Sequence, residues 1–171
     1  TIGGSVTMNS GCYGYDISKV LISIKILDFD GLEKEIHRDQ IKFEYRGTNL
    51  PKDCIILSAK LKGSTNKKDL IEKKQSDFIE NKKKTQPSQI KTGGSTFKNH
   101  KDIKAWKAIK DAGCDKFSIG DAKISEKHCN FFFNDGKAKT TDIEKLINKV
   151  KQEVQTKTGI NLELEIKIIG D

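Results

Sequence analysis

The chain has 171 residues and a formal net charge of +8, enough length for one domain or two small ones with a modest core. No apolar run approaches the roughly 20 residues that cross a bilayer, and no basic segment followed by an apolar one opens the chain as a secretory signal would. Cys12, Cys54, Cys114 and Cys129 are scattered and, His128–Cys129 apart, have no histidine at ligand spacing; the sequence therefore predicts no metal site and reduced thiols in a soluble, cytoplasmic protein.

The positive charge raises a nucleic-acid reading. Nearly all of it is lysine, however, with Arg38 and Arg46 the only arginines. The chain also lacks a helix-turn-helix or zinc pattern, so a solvated lysine-rich surface is the plainer account. A basic nucleic-acid-binding module stays as an alternative, with steeply salt-dependent binding as its signature.

The chain opens on Thr1, and its single methionine, Met8, lies within the glycine-rich stretch "TIGGSVTMNSGCYG". It reads as the later part of something longer. From Val20 to Asp28, "VLISIKILD" is β-branched and apolar and predicts a strand; "DFDG" supplies turn residues before a second one near Leu32–His37. "CIILSAKL" (Cys54–Leu61) predicts a third. Asn66 is placed to cap a helix from about Lys67 to Lys84, with Leu70, Ile71, Phe78 and Ile79 on one face and a lysine run at the negative end of its dipole.

"TQPSQIKTGG" (Thr85–Gly94) reads as a linker, which sets the expected domain boundary at residue 90: 1–90 and 91–171. Beyond it, "DIKAWKAIKDAG" predicts a short helix stopped by Gly113, with Ile103, Trp106 and Ile109 as a core stripe. "HCNFFFNDG" predicts a strand running into a turn. Thr141–Glu144 matches a capping box for a helix to about Thr158, with Ile143, Leu146, Ile147, Val150 and Val154 inward and Gly159 closing it. In the last segment Leu162, Leu164, Ile166 and Ile168 alternate with Glu163, Glu165 and Lys167, which predicts a strand. Hairpins and helices are segregated, so the fold class is α+β.

Four segments in order carry a resemblance. "TIGGSVTMNSGCYG" resembles the Gly-rich flavin loop of UDP-N-acetylenolpyruvoylglucosamine reductase. "FEYRGTNLP" (Phe43–Pro51) is similar to that family's Tyr-Arg segment, and "TQP…TGGSTFKN" (Thr85–Asn99) to its serine loop. "AWKAIKDAGCDKFSIGDAKISEKHCNFFFN" with "LELEIKIIG" looks like its C-terminal substrate domain. The family has proline where His100 and Leu164 stand and glycine where Asp121 stands, and its N-terminal flavin subdomain has no counterpart here.

The resemblance implies the C-terminal part of a flavin-binding α+β domain followed by a small α+β substrate-binding domain. It implies an oxidoreductase of peptidoglycan precursor synthesis, and so of cell wall biogenesis, cell shape and division. NADPH would reduce FAD, and the flavin would pass hydride to UDP-N-acetylglucosamine enolpyruvate to give UDP-N-acetylmuramate. By matching motifs, Ser95 would be the proton donor, Arg46 the cation beside the developing enolate, and Glu165 the assisting carboxyl group. Ile2, Gly3, Gly4 and Asn9 fall on the flavin side; Tyr45, Asn99 and His128 fall on the substrate side. Lys127, His128 and Asn130 read either as lining the substrate domain or as buried structural residues. The protein is expected to be a monomer without nucleic-acid or membrane partners. An inactive fragment that keeps only sugar-nucleotide binding is the second reading.

Overall fold

The computed structural model describes residues 1–99 and 103–170. His100 and the helix start expected at Asp102 lie outside the described residues. The chain divides into two compact units, Thr1–Lys67 and Lys68–Asp171. The second unit therefore takes in the helix before the polar linker, whereas the boundary expected from sequence lay beyond that helix.

The first unit opens with α1 (Ile2–Thr7), whose Thr1 hydroxyl accepts the Gly4 N–H at 3.1 Å as an N-cap. Two short strands, β1 (Gly11–Cys12) and β2 (Tyr15–Asp16), form a hairpin. The strands expected next are present as β3 (Leu21–Asp28) and β4 (Glu33–His37). A second small hairpin, β5 (Phe43–Glu44) with β6 (Gly47–Thr48), precedes β7 (Cys54–Leu61). The main sheet is antiparallel in the order β4-β3-β7.

In that sheet β3 is the central strand, and bulges against β7 interrupt its alternation. Ser23 and Ile24 are consequently both buried, and the Ser23 hydroxyl donates to Glu35 at 2.6 Å. Val6 of α1 joins Leu21, Ile24, Ile26 and Ile41 in one small core. The approach of α1 is close: a Cβ on Gly3 would stand 3.4 Å from Ile56 Cβ.

The second unit begins with α2 (Lys68–Thr85), of which no residue is buried. Of its expected apolar face, Leu70, Ile71 and Ile79 are exposed and Phe78 is half-buried. The polar segment then gives way to β8 (Lys91–Ser95), so the Gly-Gly stretch is a strand and not a loop. After α3 (Ala105–Asp111) come β9 (Ser118–Ile119), β10 (Ala122–Ile124) and β11 (Phe131–Asn134). The sheet is antiparallel in the order β8-β11-β10-β9. Packed on it is α4 (Thr140–Thr158), which buries Leu146, Ile147, Val150 and Val154, each worth about 1.5–3 kcal/mol in the fold. Gly159, at φ 72°, closes α4 in the left-handed region.

Three expectations are corrected here. Of the expected stripe only Ile109 lies in the core, beside Ala105, Ala108 and the C-cap Ala112, whose small side chains let α3 lie close; Trp106 remains 41% exposed and Ile103 precedes the helix. The capping box is not Thr141–Glu144, because the N-cap lies two residues earlier, at Lys139; Asp142 instead reaches back to the Lys139 N–H at 2.9 Å. The last segment is not a sheet strand. It makes one isolated bridge, Leu164 with Phe97, since its partner is an irregular loop only long enough for two backbone hydrogen bonds.

Candidate functional site

Ser95 ends β8 opposite Phe131 of β11. The pairing shifts register between Phe131 and Phe133, and Thr92 fills the irregularity by donating its hydroxyl to Phe132 O at 2.6 Å. Gly94 sits at φ +92°, where a side chain is strained, and this turns the chain just before the serine. Ser95 itself is half-buried.

The three residues that follow are fastened on two sides. Thr96 N–H donates to Asn130 O at 2.8 Å. The Asn130 side chain then pairs with Phe97 as a backbone would: it accepts from Phe97 N at 2.9 Å and donates to Phe97 O at 2.8 Å. On the other side Glu165 N–H donates to Thr96 O at 2.9 Å, and Lys98 N–H to Glu163 O at 2.8 Å. Phe97 is 1% exposed and lies edge-on to Phe132, ring centroids 5.7 Å apart. Ser95 and Glu165 are thus brought to one place in the second unit, each one residue or less from the Thr96–Glu165 hydrogen bond. Lys98 and Glu163 form an ion pair across the same seam.

Asn99 has a structural task. Its side-chain oxygen accepts the Ala105 N–H at 3.0 Å and so ties the loop to the start of α3. It also borders an open groove of about 710 Å³ with Lys98, Lys151, Asn161 and Glu163. His128 faces elsewhere, into a cavity of about 410 Å³ shared with Trp106, Lys110, Asp115, Lys127 and Cys129. The two substrate-side candidates of this unit therefore face different openings. His128 Nδ1 accepts the Asn130 N–H at 3.3 Å, its ring meets Phe131 edge-on, and burial pushes its pKa below the ordinary value. The Lys127 ammonium donates to the Lys83 carbonyl at the end of α2. Burial also raises the Cys129 thiol, whose Sγ donates to Trp106 O at 2.9 Å.

In the first unit, Arg46 occupies the turn between β5 and β6 at φ 59°, a conformation that costs a non-glycine residue about 1–3 kcal/mol and often marks a functional position. Its guanidinium lies over the Tyr45 ring, 5.0 Å from the centroid. Asn9, at φ 42°, donates its side-chain N–H to Glu44 O at 3.1 Å, and Thr48 donates its hydroxyl to Thr7 O at 3.2 Å. These two bonds join the end of α1 to the hairpin that carries Tyr45 and Arg46. Asn9 Oδ1 is buried without a partner among the described residues. Ile2 begins α1 and is 53% exposed. The two glycines have local reasons: Gly3 admits β7, and the Gly4 N–H is taken by Thr1. Sequence reading left Asn130 undecided; a side chain bonding a backbone 33 residues away leaves no local pattern.

Comparison with known proteins bears on all of this. The family model for the C-terminal domain of UDP-N-acetylenolpyruvoylglucosamine reductase matches residues 86–169. The chain is 46% identical to the UDP-N-acetylenolpyruvoylglucosamine reductase of Pelagibacter ubique over 172 residues, covering 99% of this chain and 57% of that protein. It is 44% identical to the enzyme of that name from Rickettsia bellii (strain RML369-C), covering 99% of this chain and 56% of that one. A crystal structure of the Thermus caldophilus reductase is similar with a TM-score of 0.87 at 30% identity, over 97% of this chain and 59% of that one. The chain spans between half and two thirds of the length of these relatives.

Proposed function

The chain belongs to the UDP-N-acetylenolpyruvoylglucosamine reductase family, and from that premise we propose that it forms the later part of an NADPH-dependent, FAD-mediated reductase. The substrate is UDP-N-acetylglucosamine enolpyruvate and the product UDP-N-acetylmuramate, a step of peptidoglycan precursor synthesis in the cytoplasm. The observation that carries this reading is the Thr96–Glu165 hydrogen bond, which sets Ser95 beside Glu165 although they are far apart in sequence. We keep the functional division near residue 90, supported by a C-terminal domain match that starts at residue 86.

The donor set of the first unit fits a flavin. Asn9 Oδ1 is a buried acceptor without a partner among the described residues, a state that costs about 1–3 kcal/mol and that a ring N–H would relieve. Ile2, Gly3, Gly4 and Asn9 would hold the flavin side, and FAD when bound supplies the hydride. Hydride at the terminal carbon of the enolpyruvyl group leaves negative charge on the carbon beside the carboxylate. That charge calls for a cation and a proton. Arg46 stabilises the developing enolate, with Tyr45 beneath its guanidinium. Ser95 delivers the proton: its O–H bond breaks as the new C–H bond forms, and solvent restores the hydroxyl. A serine hydroxyl is a very weak acid, so it serves only when held within hydrogen-bond reach of a strongly basic carbanion. Glu165 assists beside it, and Asn99 and His128 are assigned to the sugar nucleotide. Among the described residues, no helix is long and apolar enough to cross a membrane.

The test is Ser95→Ala in a chimera in which the opening part of the Pelagibacter ubique relative precedes this chain. NADPH should still bleach the flavin, while product formation is lost, because only the second half-reaction needs a proton at carbon. Normal turnover, or loss of bleaching in a folded variant, would refute the assigned role.

A further inference from the structure

We propose that Asn130 is a positioning residue that sets Ser95 against Glu165, an inference that rests on the role given to Ser95 above. The Asn130 side chain gives both ends of its amide to Phe97. The residue acts through the backbone between Ser95 and Glu165. Its carbonyl holds Thr96 N–H. The other backbone polar group of Thr96, its carbonyl, is the one that receives Glu165 N–H. One residue thus fixes one side of the segment whose other side carries the glutamate.

Three further features show that this arrangement is built and not incidental. Asn130 is 4% exposed, and a buried amide with both ends paired is rigid in a way that a solvated one is not. No regular ladder does the same work here, because the β8–β11 pairing shifts register next to this point. Asn130 also precedes Phe131, the residue opposite Ser95. Its side chain therefore extends the pairing of β11 by one step beyond the strand, past the serine and as far as Phe97. Without that step Phe97 would lose both of its bonds to the sheet side, leaving the Ser95–Phe131 pairing and the Thr96–Asn130 backbone bond as the last attachments there.

Displacement of a reacting group by about 1 Å can slow a step on the order of 100-fold. In the chimera, Asn130→Ala should slow reoxidation of pre-reduced flavin by UDP-N-acetylglucosamine enolpyruvate by about that factor. NADPH bleaching and the substrate Kd should stay within about twofold. A merely structural role would lower thermal stability without separating the two half-reactions. An unchanged substrate half-reaction in folded Asn130→Ala overturns the proposal. If that variant does not fold, Asn130→Gln keeps both amide groups but sets them one methylene further from the backbone; a roughly tenfold loss confined to the substrate half-reaction is expected, and a wild-type rate overturns the proposal. In the wild-type 171-residue chain the Phe97 amide should exchange with solvent only on unfolding of its unit, and fast exchange overturns the clamp. Normal turnover of Ser95→Ala would remove the premise itself, an outcome distinct from any of these.

Discussion

Gly93 and Gly94 are neighbours in one strand, and alanine should be tolerated at one and rejected at the other. At Gly94 the backbone has φ +92° and a Cβ would meet nothing within 4 Å. Its entire cost is conformational. A non-glycine residue in such a region costs about 1–3 kcal/mol, against which the stiffer unfolded chain of alanine returns about 0.4–1 kcal/mol. The expected net loss for Gly94→Ala is about 1–2 kcal/mol. At Gly93 the backbone is ordinary and a Cβ would stand 3.4 Å from Ile166 Cγ2, normal van der Waals contact, so Gly93→Ala should be neutral or slightly stabilising. Trp106 is the only tryptophan and belongs to the second unit, so its fluorescence reports the unfolding of that unit alone. Thermal melts should place Gly94→Ala lower by roughly 4–15 °C, at about 4–8 °C per kcal/mol for a domain of this size, with Gly93→Ala at or above the parent. Equal melting of the two variants, or a stabilised Gly94→Ala, would refute the strain argument and the turn that aims Ser95.

The remaining predictions concern pH and the flavin. Because burial lowers the folded-state pKa of His128 below its ordinary 6.5, the unfolded chain binds the proton more readily. Its contribution is therefore complete above about pH 6.5 and is lost as pH falls through the folded value. Urea titrations of the second unit should lose stability in that window, and His128→Gln should flatten the loss; an unchanged slope would count against it. On the proposed reading the 171-residue chain by itself should carry little or no FAD on purification, since its residues would supply only one wall of the flavin site. A stoichiometric flavin absorption spectrum would show that this unit suffices.

The regular elements were legible in the sequence because their periods are long enough to be read. The apolar run of β3 and the stripe of Leu146, Ile147, Val150 and Val154 on α4 both lie where the pattern placed them. Where packing uses small residues the pattern misleads: α3 turns alanines inward, so the conspicuous Trp106 marks the outside of the helix and not its core. The perfect alternation from Leu162 implied a strand, yet alternation suggests only which side chains would face inward, and it fails even there at Ile168, which is 50% exposed. It says nothing of whether a partner strand exists, and here the partner is Thr96 to Lys98. The candidate site was visible through motif resemblance, one residue at a time. The Asn130 clamp was not, because it joins a side chain to a backbone across 33 residues and leaves no trace in either segment.

The fastening of Thr96 to Glu165 also bears on how the protein is made. Strand β8 and its serine are synthesised early in the second unit, but the partner of the Thr96 carbonyl, Glu165, follows 69 residues after it. Pairings between distant segments form only after the intervening chain has been closed into a loop, which makes them slow. On the ribosome the sheet and α4 can assemble while Ser95 is still held on one side only. Its second side is completed only once Glu165 has left the exit tunnel. A chain cut a few residues before Glu165 would therefore retain most of the core of the second unit and still lack this fastening, so that abundance and folding would be poor guides to whether Ser95 is held on both sides.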